Sequence, residues 1–240
     1  MTKFFSPESF SVGVPLTLGA EAARHAQVTR LFAGAIVGLR DGAGMKGTGT
    51  MFRISKSMVT IDVTDARSVE RPPAVHLLPP VADRDRMLWL GEKAAEFGVA
   101  TWRPVLWRRS KSVSPKGEGP TFQRKLAARM VSAMLQSGGA WLPEIFPEAT
   151  VESALAATPA GSRILLDATA GEQGVGAISA PVSIAVGPEG GLESDERLAF
   201  LAANYQPLTL AGTTLRFETA GVGGIAVVMS RLTSMGRTDG

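Results

Sequence analysis

At Glu70-Arg71-Pro72-Pro73 the chain changes its hydrophobic rhythm. Before this point apolar and polar residues alternate in short runs; after it, apolar runs alternate with stretches of helical spacing. Consecutive prolines break both helices and ladders, so residues 1–71 and 72–240 are expected to be separate domains. In the first, Ala35 to Arg40 reads as an apolar strand and Asp41-Gly42 as a hairpin signal. The stretches 50–54 and 58–63 alternate and are rich in β-branched residues, and a helix is expected over 21–31. A small β-barrel fits this pattern. In the second, strands are expected at 75–78, 104–107, 164–167, 182–186 and 207–210. Helices are expected at 83–97, 121–136, 194–203 and 219–232, with Gly98 and Asn204 as terminators and Thr219 as the last N-cap. Alternating β and α elements imply a parallel sheet. The last helix is apolar nearly all round. Its Gly221, Gly223 and Gly224 would each cost an isolated helix roughly 1 kcal/mol, which makes sense if another backbone packs very close.

The 240 residues contain no cysteine and two histidines, His25 and His76. Disulfides and thiolate zinc sites are thereby excluded, and no metal is expected. The first residues lack the apolar core of a secretory signal. No apolar run reaches the ~18 residues of a membrane helix, so a cytoplasmic protein with no membrane partner is expected. Charge is uneven: residues 101–130 carry a net +7, whereas residues 131–240 carry a net −6. Trp102, Trp107 and Phe122 interleave with the basic residues. Arginines fix phosphates and aromatic rings stack on bases, so this stretch suits a nucleic acid. A charge run alone reads rather as a solvated basic loop and helix; the interleaved aromatics turn the reading to nucleic acid.

Gly42-Ala43-Gly44-Met45-Lys46-Gly47 matches the G-x-G-x-x-G dinucleotide pattern, but Thr48 to Phe52 continues as strand where that motif needs a helix. A glycine-rich hairpin is expected instead. No G-x-S-x-G elbow is present, and neither histidine has an adjacent acid, so a hydrolase triad is not expected. Two C-terminal segments carry the chemistry. One is Val186-Gly187-Pro188-Glu189-Gly190-Gly191-Leu192, and the other is Thr214-Leu215-Arg216-Phe217-Glu218-Thr219-Ala220. Each follows an apolar strand. The first alone reads equally as a turn or a ligand loop. Paired with the second, it can close one pocket at the carboxyl ends of the sheet. Uncharged glycine backbone there suits a zwitterionic ligand better than a phosphate.

Together these segments resemble the SPOUT-superfamily RNA methyltransferases. They look most like the ribosomal RNA small subunit methyltransferase E family, which methylates uridine N3 of 16S ribosomal RNA. The likeness extends through Lys3-Phe4-Phe5, residues 24–30, Asp41 to Gly44, Glu92 to Val99, Arg109-Ser110, Gln136 to Gly138 and Pro143 to Ile145. It implies an N-terminal PUA-like RNA-binding β-barrel over 1–71. It also implies a trefoil-knotted α/β domain over 72–240 that binds S-adenosylmethionine and forms a homodimer. The partner implied is 16S ribosomal RNA or the small ribosomal subunit. Carried onto this chain, the cofactor residues are Leu166, Gly187, Glu189, Gly190, Leu210, Leu215 and Thr219. Arg216 and Glu218 are the catalytic candidates, Glu218 either as base or as a structural tie. Lys3, Arg24, Arg30, Arg108, Arg109 and Lys111 are the RNA-binding candidates. Five positions depart from the pattern: Thr213 and Thr214 replace a more basic, more apolar pair, and three others follow. Ser132 stands where relatives carry glutamate, Gly139 where they carry arginine, and Ala211 where they carry glycine.

Overall fold

A computed structural model of the chain describes residues 1–110, 116–169 and 176–235. The backbone forms two compact units. One comprises residues 1–71 with 131–142, and the other residues 72–130 with 143–240. Residues 131–142 therefore group with the N-terminal segment, which a single boundary at residue 71 does not anticipate.

The first elements are β1 (Lys3–Phe5), β2 (Pro15–Leu18), α1 (Ala20–Val28), β3 (Ile36–Arg40), β4 (Met45–Ile54) and β5 (Val59–Ser68). The five strands make one sheet in the order β1-β3-β4-β5-β2. Its core face is built from Phe4, Val37, Leu39, Met51, Val59 and Ile61. The glycine-rich stretch lies inside β4, as the absence of a following helix implied. A Cβ on Gly47 would collide with the backbone of Asp65, and one on Gly49 would lie 2.7 Å from the Asp62 carbonyl. Glycine is needed here so that two strands can approach, not so that a ligand can. Helix α1 is shorter than expected. Arg30 adopts φ 53°, which turns the chain out of the helix before Leu31.

On the outer face of this sheet, Arg40, Lys46 and Arg67 stand directly opposite one another across β3, β4 and β5. Like charges in such pairs repel. The partial compensation comes from residues 135–139. Lys3 Nζ donates to the Leu135 carbonyl at 2.7 Å, Lys46 Nζ to Gly138 at 2.6 Å and Arg40 Nε to Gly139 at 3.1 Å. These are carbonyls of a helix C-terminus, which attracts cations. Gly139 thus offers its carbonyl to Arg40.

The remaining elements are β6 (Val75–Leu78), α2 (Arg84–Glu96), β7 (Thr101–Trp102), β8 (Val105–Leu106), α3 (Gly119–Ser137), β9 (Glu144–Ile145), β10 (Ala149–Thr150), α4 (Val151–Ala156), β11 (Ser162–Leu166), β12 (Val182–Val186), α5 (Ser194–Ala202), β13 (Gln206–Leu208) and α6 (Phe217–Met235). Six parallel strands form a sheet in the order β13-β11-β12-β6-β7-β9, and β8 pairs with β10 apart from it. β12 is buried along its whole length, as its uninterrupted apolar run requires. α2 starts at Asp83, whose carboxylate accepts from the amides of Asp85 and Arg86, and stops before Gly98 at φ 73°. α5 opens with a capping box between Glu193 and Glu196.

Several expectations are corrected. The strand expected over 104–107 is only Val105–Leu106, and an unexpected strand, Thr101–Trp102, precedes it across Arg103-Pro104. Only Thr101–Trp102 joins the main sheet, because proline offers no amide to a ladder. α6 begins at Phe217, so Thr219 is not its N-cap. The carbonyl of Arg216 already accepts from the amide of Ala220 at 2.9 Å, and Thr219 is an exposed first-turn residue. The α6 glycines receive side chains of the same unit rather than another backbone. A Cβ at Gly221 would meet Leu90 at 2.9 Å, and one at Gly224 would meet Leu166 at 2.7 Å. Among the described residues no helix is long and apolar enough to cross a membrane.

Candidate active site

Three neighbouring strands, β11, β12 and β13, deliver their carboxyl ends to one place. The segments that follow them and the first turn of α6 enclose a cavity of about 260 Å³. Its apolar walls come from Leu166, Val186, Leu208, Leu210, Leu215 and Phe217. Of the expected cofactor residues, Leu166, Gly187, Glu189, Leu210 and Leu215 line it. Ala211, one of the departures, also lines it.

Two expected residues do not. Gly190 faces Arg109 instead: a Cβ there would lie 3.0 Å from Arg109 Cβ and 3.1 Å from its carbonyl oxygen. The glycine accommodates that backbone, not the cavity. Thr219 points away on the exposed side of α6.

The basic pair of the 101–130 stretch is also relocated. Arg109 is a wall residue. Its Nε and Nη2 donate to the two carboxylate oxygens of Glu193 at 2.7 and 3.2 Å, and its Nη1 to the Gly190 carbonyl at 3.2 Å. Arg108 ion-pairs with Asp195, and its amide donates to Glu196 Oε1 at 2.8 Å. The hydrogen bond that each guanidinium donates, Arg108 to Asp195 and Arg109 to Glu193, holds it above its ordinary pKa. These arginines fasten the glycine loop and the start of α5, so their charge is spent within the protein. Lys111 lies outside the described residues. Arg24 and Arg30 are exposed in the N-terminal unit, and Lys3 is committed to the Leu135 carbonyl.

Sequence reasoning missed two groups. Asp167 ends β11 and lines the cavity at 8% exposure. It accepts from Arg197 Nε at 2.6 Å and from the Thr169 hydroxyl and amide at 2.7 and 2.9 Å. Burial pushes this carboxyl up, but the bonds from Arg197 and Thr169 outweigh it and hold it below the usual range. The available signal was an acid closing a buried apolar strand. The second group centres on Arg86 in the first turn of α2. It ion-pairs with Glu189 of the glycine loop, and its Nε lies 3.9 Å from Glu218 Oε1. Glu218 is buried, and its Oε2 has no hydrogen-bond partner. Nothing local in sequence announces a contact across 103 positions.

Arg216, by contrast, is exposed at the mouth of α6, and its side chain makes no hydrogen bond or ion pair among the described residues. The cavity therefore has apolar walls and two acids and two arginines that each have a partner, and Arg216, between wall residues Leu215 and Phe217, has none among the described residues. That is a neutral container with a charge at its edge. It suits an apolar or zwitterionic ligand and disfavours a polyphosphate.

Comparison with known proteins agrees with this architecture. A ribosomal RNA small subunit methyltransferase E from Neisseria gonorrhoeae, bound to S-adenosyl methionine, superposes with a TM-score of 0.86 at 26% identity, over 97% of this chain and 98% of that one. A protein described as a putative methyltransferase, from Legionella pneumophila and in complex with the same cofactor, superposes at 0.84 with 23% identity, over 96% and 98% of the two chains. A probable rRNA methyltransferase from Porphyromonas gingivalis gives 0.82 at 24% identity, over 98% and 100%. Residues 69–229 match the model of the RNA methyltransferase domain, covering the cavity and every strand around it, and the chain belongs to that family.

Proposed function

We propose that this protein methylates N3 of a uridine in 16S ribosomal RNA with S-adenosylmethionine as donor. The observation that carries the reading is the neutral, apolar cavity at the ends of β11, β12 and β13 in a chain of the RNA methyltransferase family. The cofactor fits the donor set. Leu166, Leu210 and Leu215 offer apolar surface and main-chain groups to an adenine, and Gly187 keeps the backbone approachable. Each wall arginine is neutralised by an acid, Arg197 by Asp167 and Arg109 by Glu193, which limits repulsion against a sulfonium. When bound, the cofactor supplies an electrophilic methyl group for in-line displacement.

The chain's own contribution is position and charge. Uridine N3 carries a proton that must leave before or during attack. Arg216, unpaired at the cavity's edge, stabilises negative charge gathering on the ring oxygens. Glu218 receives the proton, or ties α6 to Arg86; its orphaned buried oxygen favours an acceptor role. Arg86 holds Glu189 beside Glu218 and so fixes the glycine loop against α6. Since N3 lies on the Watson–Crick edge, the base must be unpaired or flipped.

RNA affinity resides in the cations that are not spent internally. With Arg108 and Arg109 tied to α5, and Lys3, Arg40 and Lys46 bonded to carbonyls of their own unit, these are Arg24, Arg30 and Arg67 on the N-terminal unit, which the reading takes as a PUA-like domain. The same reading takes the C-terminal segment as a trefoil knot and the functional form as a homodimer. Mass mapping of ribosomal RNA nucleosides with and without the gene tests the reaction. A 3-methyluridine lost from 16S RNA and restored by the purified protein supports it. An unchanged 16S profile alongside a changed transfer RNA would reassign the substrate. Arg216→Ala should lower kcat by about 10²-fold, the scale for loss of one such donor. Cofactor affinity should be retained, and the deficit should narrow as pH rises and more uridine is already deprotonated. A deficit equal at every pH rejects the role of Arg216.

A further inference from the structure

Two arginines line the cofactor cavity, and the structure uses them differently. Arg109 is fully committed: Nε and Nη2 donate to Glu193, and Nη1 donates to the Gly190 carbonyl. Arg197, near the start of α5, makes one hydrogen bond, from Nε to Asp167 Oδ2 at 2.6 Å. Its terminal nitrogens, Nη1 and Nη2, have no partner among the described residues, and neither is sealed off from solvent. The guanidinium is therefore anchored at its inner edge and open at its outer one.

The anchor is firm. Asp167 is 8% exposed and also accepts from the amide and hydroxyl of Thr169 at 2.9 and 2.7 Å. It sits below the usual carboxylate range, so it is ionised at neutral pH. An arginine that only tied β11 to α5 would gain by using its whole fork within the protein, as Arg109 does. Arg197 holds its outer fork in reserve instead. Such a fork meets a planar carboxylate through two parallel hydrogen bonds. A carboxylate brought among apolar walls is costly unless paired, and of the two wall arginines only Arg197 has donors to spare. Arg216 adjoins the wall without lining the cavity. S-adenosylmethionine carries one carboxylate, on its methionyl end beside an ammonium. The ligand itself thus offsets the negative charge that it brings to Asp167 and Arg197.

We propose that Arg197 binds the α-carboxylate of the methyl donor through Nη1 and Nη2 while Asp167 holds its Nε, so that the cavity selects the intact donor over adenosyl compounds that lack this group. The proposal rests on the reading of the cavity as the S-adenosylmethionine site and adds to it the residue that reads the methionyl end. The competing assignment is a purely structural Arg197, with the methionyl carboxylate left in water.

Calorimetry on the full chain separates the two assignments. The ligands are S-adenosylmethionine, its decarboxylated form and 5′-methylthioadenosine, which lacks the whole amino-acid end. The parent should bind S-adenosylmethionine at least about tenfold more tightly than the decarboxylated donor, the scale for hydrogen bonds to one charged group. Asp167→Asn combined with Arg197→Gln removes one charge of each sign and leaves no buried charge unpaired. This double variant should lose the preference, binding S-adenosylmethionine at least about tenfold more weakly while 5′-methylthioadenosine binds as it does to the parent. Arg197→Lys keeps a cation for Asp167 but has no planar fork; it should lose the preference too, and it serves if the double variant does not fold. The proposal is overturned if the parent binds the two donors equally, if either variant keeps the parent's preference, or if the folded double variant weakens 5′-methylthioadenosine as much as S-adenosylmethionine. A parent that binds none of the three ligands overturns the reading of the cavity itself, and the role of Arg197 with it.

Discussion

Asp167 sits where β11 leaves the sheet, with one oxygen on Arg197 and the other on Thr169. Its lowered pKa fixes a sign. A carboxyl with a depressed folded pKa adds stability that is fully present above the ordinary value of about 4. That stability is lost as pH falls through the lowered value. Asp167→Asn should therefore flatten the acid limb of the stability curve. It should also cost roughly 1 kcal/mol at neutral pH, at the low end for a buried charged hydrogen bond because Arg197 is one-third exposed. Urea melts at neutral and acid pH check both statements; parallel acid limbs for parent and variant would refute them. Arg67 presents the opposite case. It is exposed, stands opposite Lys46, and makes no bond of its own among the described residues. Burial first, then Arg40, Arg67 and Lys3, holds the Lys46 ammonium below its usual pKa. Arg67→Gln should raise Tm by about 1–2 °C by relieving repulsion of a few tenths of a kcal/mol. RNA affinity should fall in the same variant, and the slope of log K against log salt should shrink by about one. Thermal melts and filter binding across salt concentrations measure the two effects; a variant that is more stable and binds RNA equally well removes Arg67 from the interface. Such residues also mark what sequence can tell. The net +7 of residues 101–130 was plain, but the acids that absorb Arg108 and Arg109 lie 87 and 84 positions away.

At the level of elements, the buried strands and long helices were legible, because apolar runs and helical spacing follow from burial itself. β6, β12, α2 and α5 fall within a few residues of expectation. The misses cluster where local and tertiary signals part. β7, the two residues before Arg103-Pro104, was too short to read, and the strand expected over 104–107 shrinks to β8 outside the main sheet. α4 is six residues long and carries too little periodicity to read. The glycines of α6 were noticed, but their neighbours could not be known. Leu166, which lines the cofactor cavity, reaches back to Gly224. A methyl at that position gains roughly 1 kcal/mol of helix propensity and pushes on the far end of a movable side chain. Gly224→Ala should thus leave Tm within about 2 °C of the parent. Leu166 would be displaced toward the cavity, and S-adenosylmethionine binding should weaken by several fold, or about 1 kcal/mol. Calorimetry on the folded variant decides the matter, and unchanged affinity would show that Leu166 moves elsewhere.

For the whole molecule, the half-exposed apolar face of α6 bears on assembly. Val222, Ala226 and Met229 recur at helical spacing and are only half-buried in the single chain. Apolar faces of this kind mark interfaces. Sedimentation at micromolar concentration should report about twice the 25.2 kDa chain mass, and Met229→Asp should shift it toward the monomer. A monomeric parent protein would refute the dimer.

The two units are built on opposite electrostatic plans. The N-terminal unit aligns Arg40, Lys46 and Arg67 against one another. The C-terminal unit joins Arg86 to Glu189, Arg108 to Asp195, Arg109 to Glu193 and Arg197 to Asp167. Dissolved ions shrink repulsion and attraction alike within a Debye length. Added salt should therefore firm one unit and loosen the other. Amide hydrogen exchange at low and high ionic strength would display this as a reversal in which half of the chain opens first. The protein would then carry its own record of ionic surroundings: in dilute buffer the basic sheet is the weaker half until a polyanion shields it.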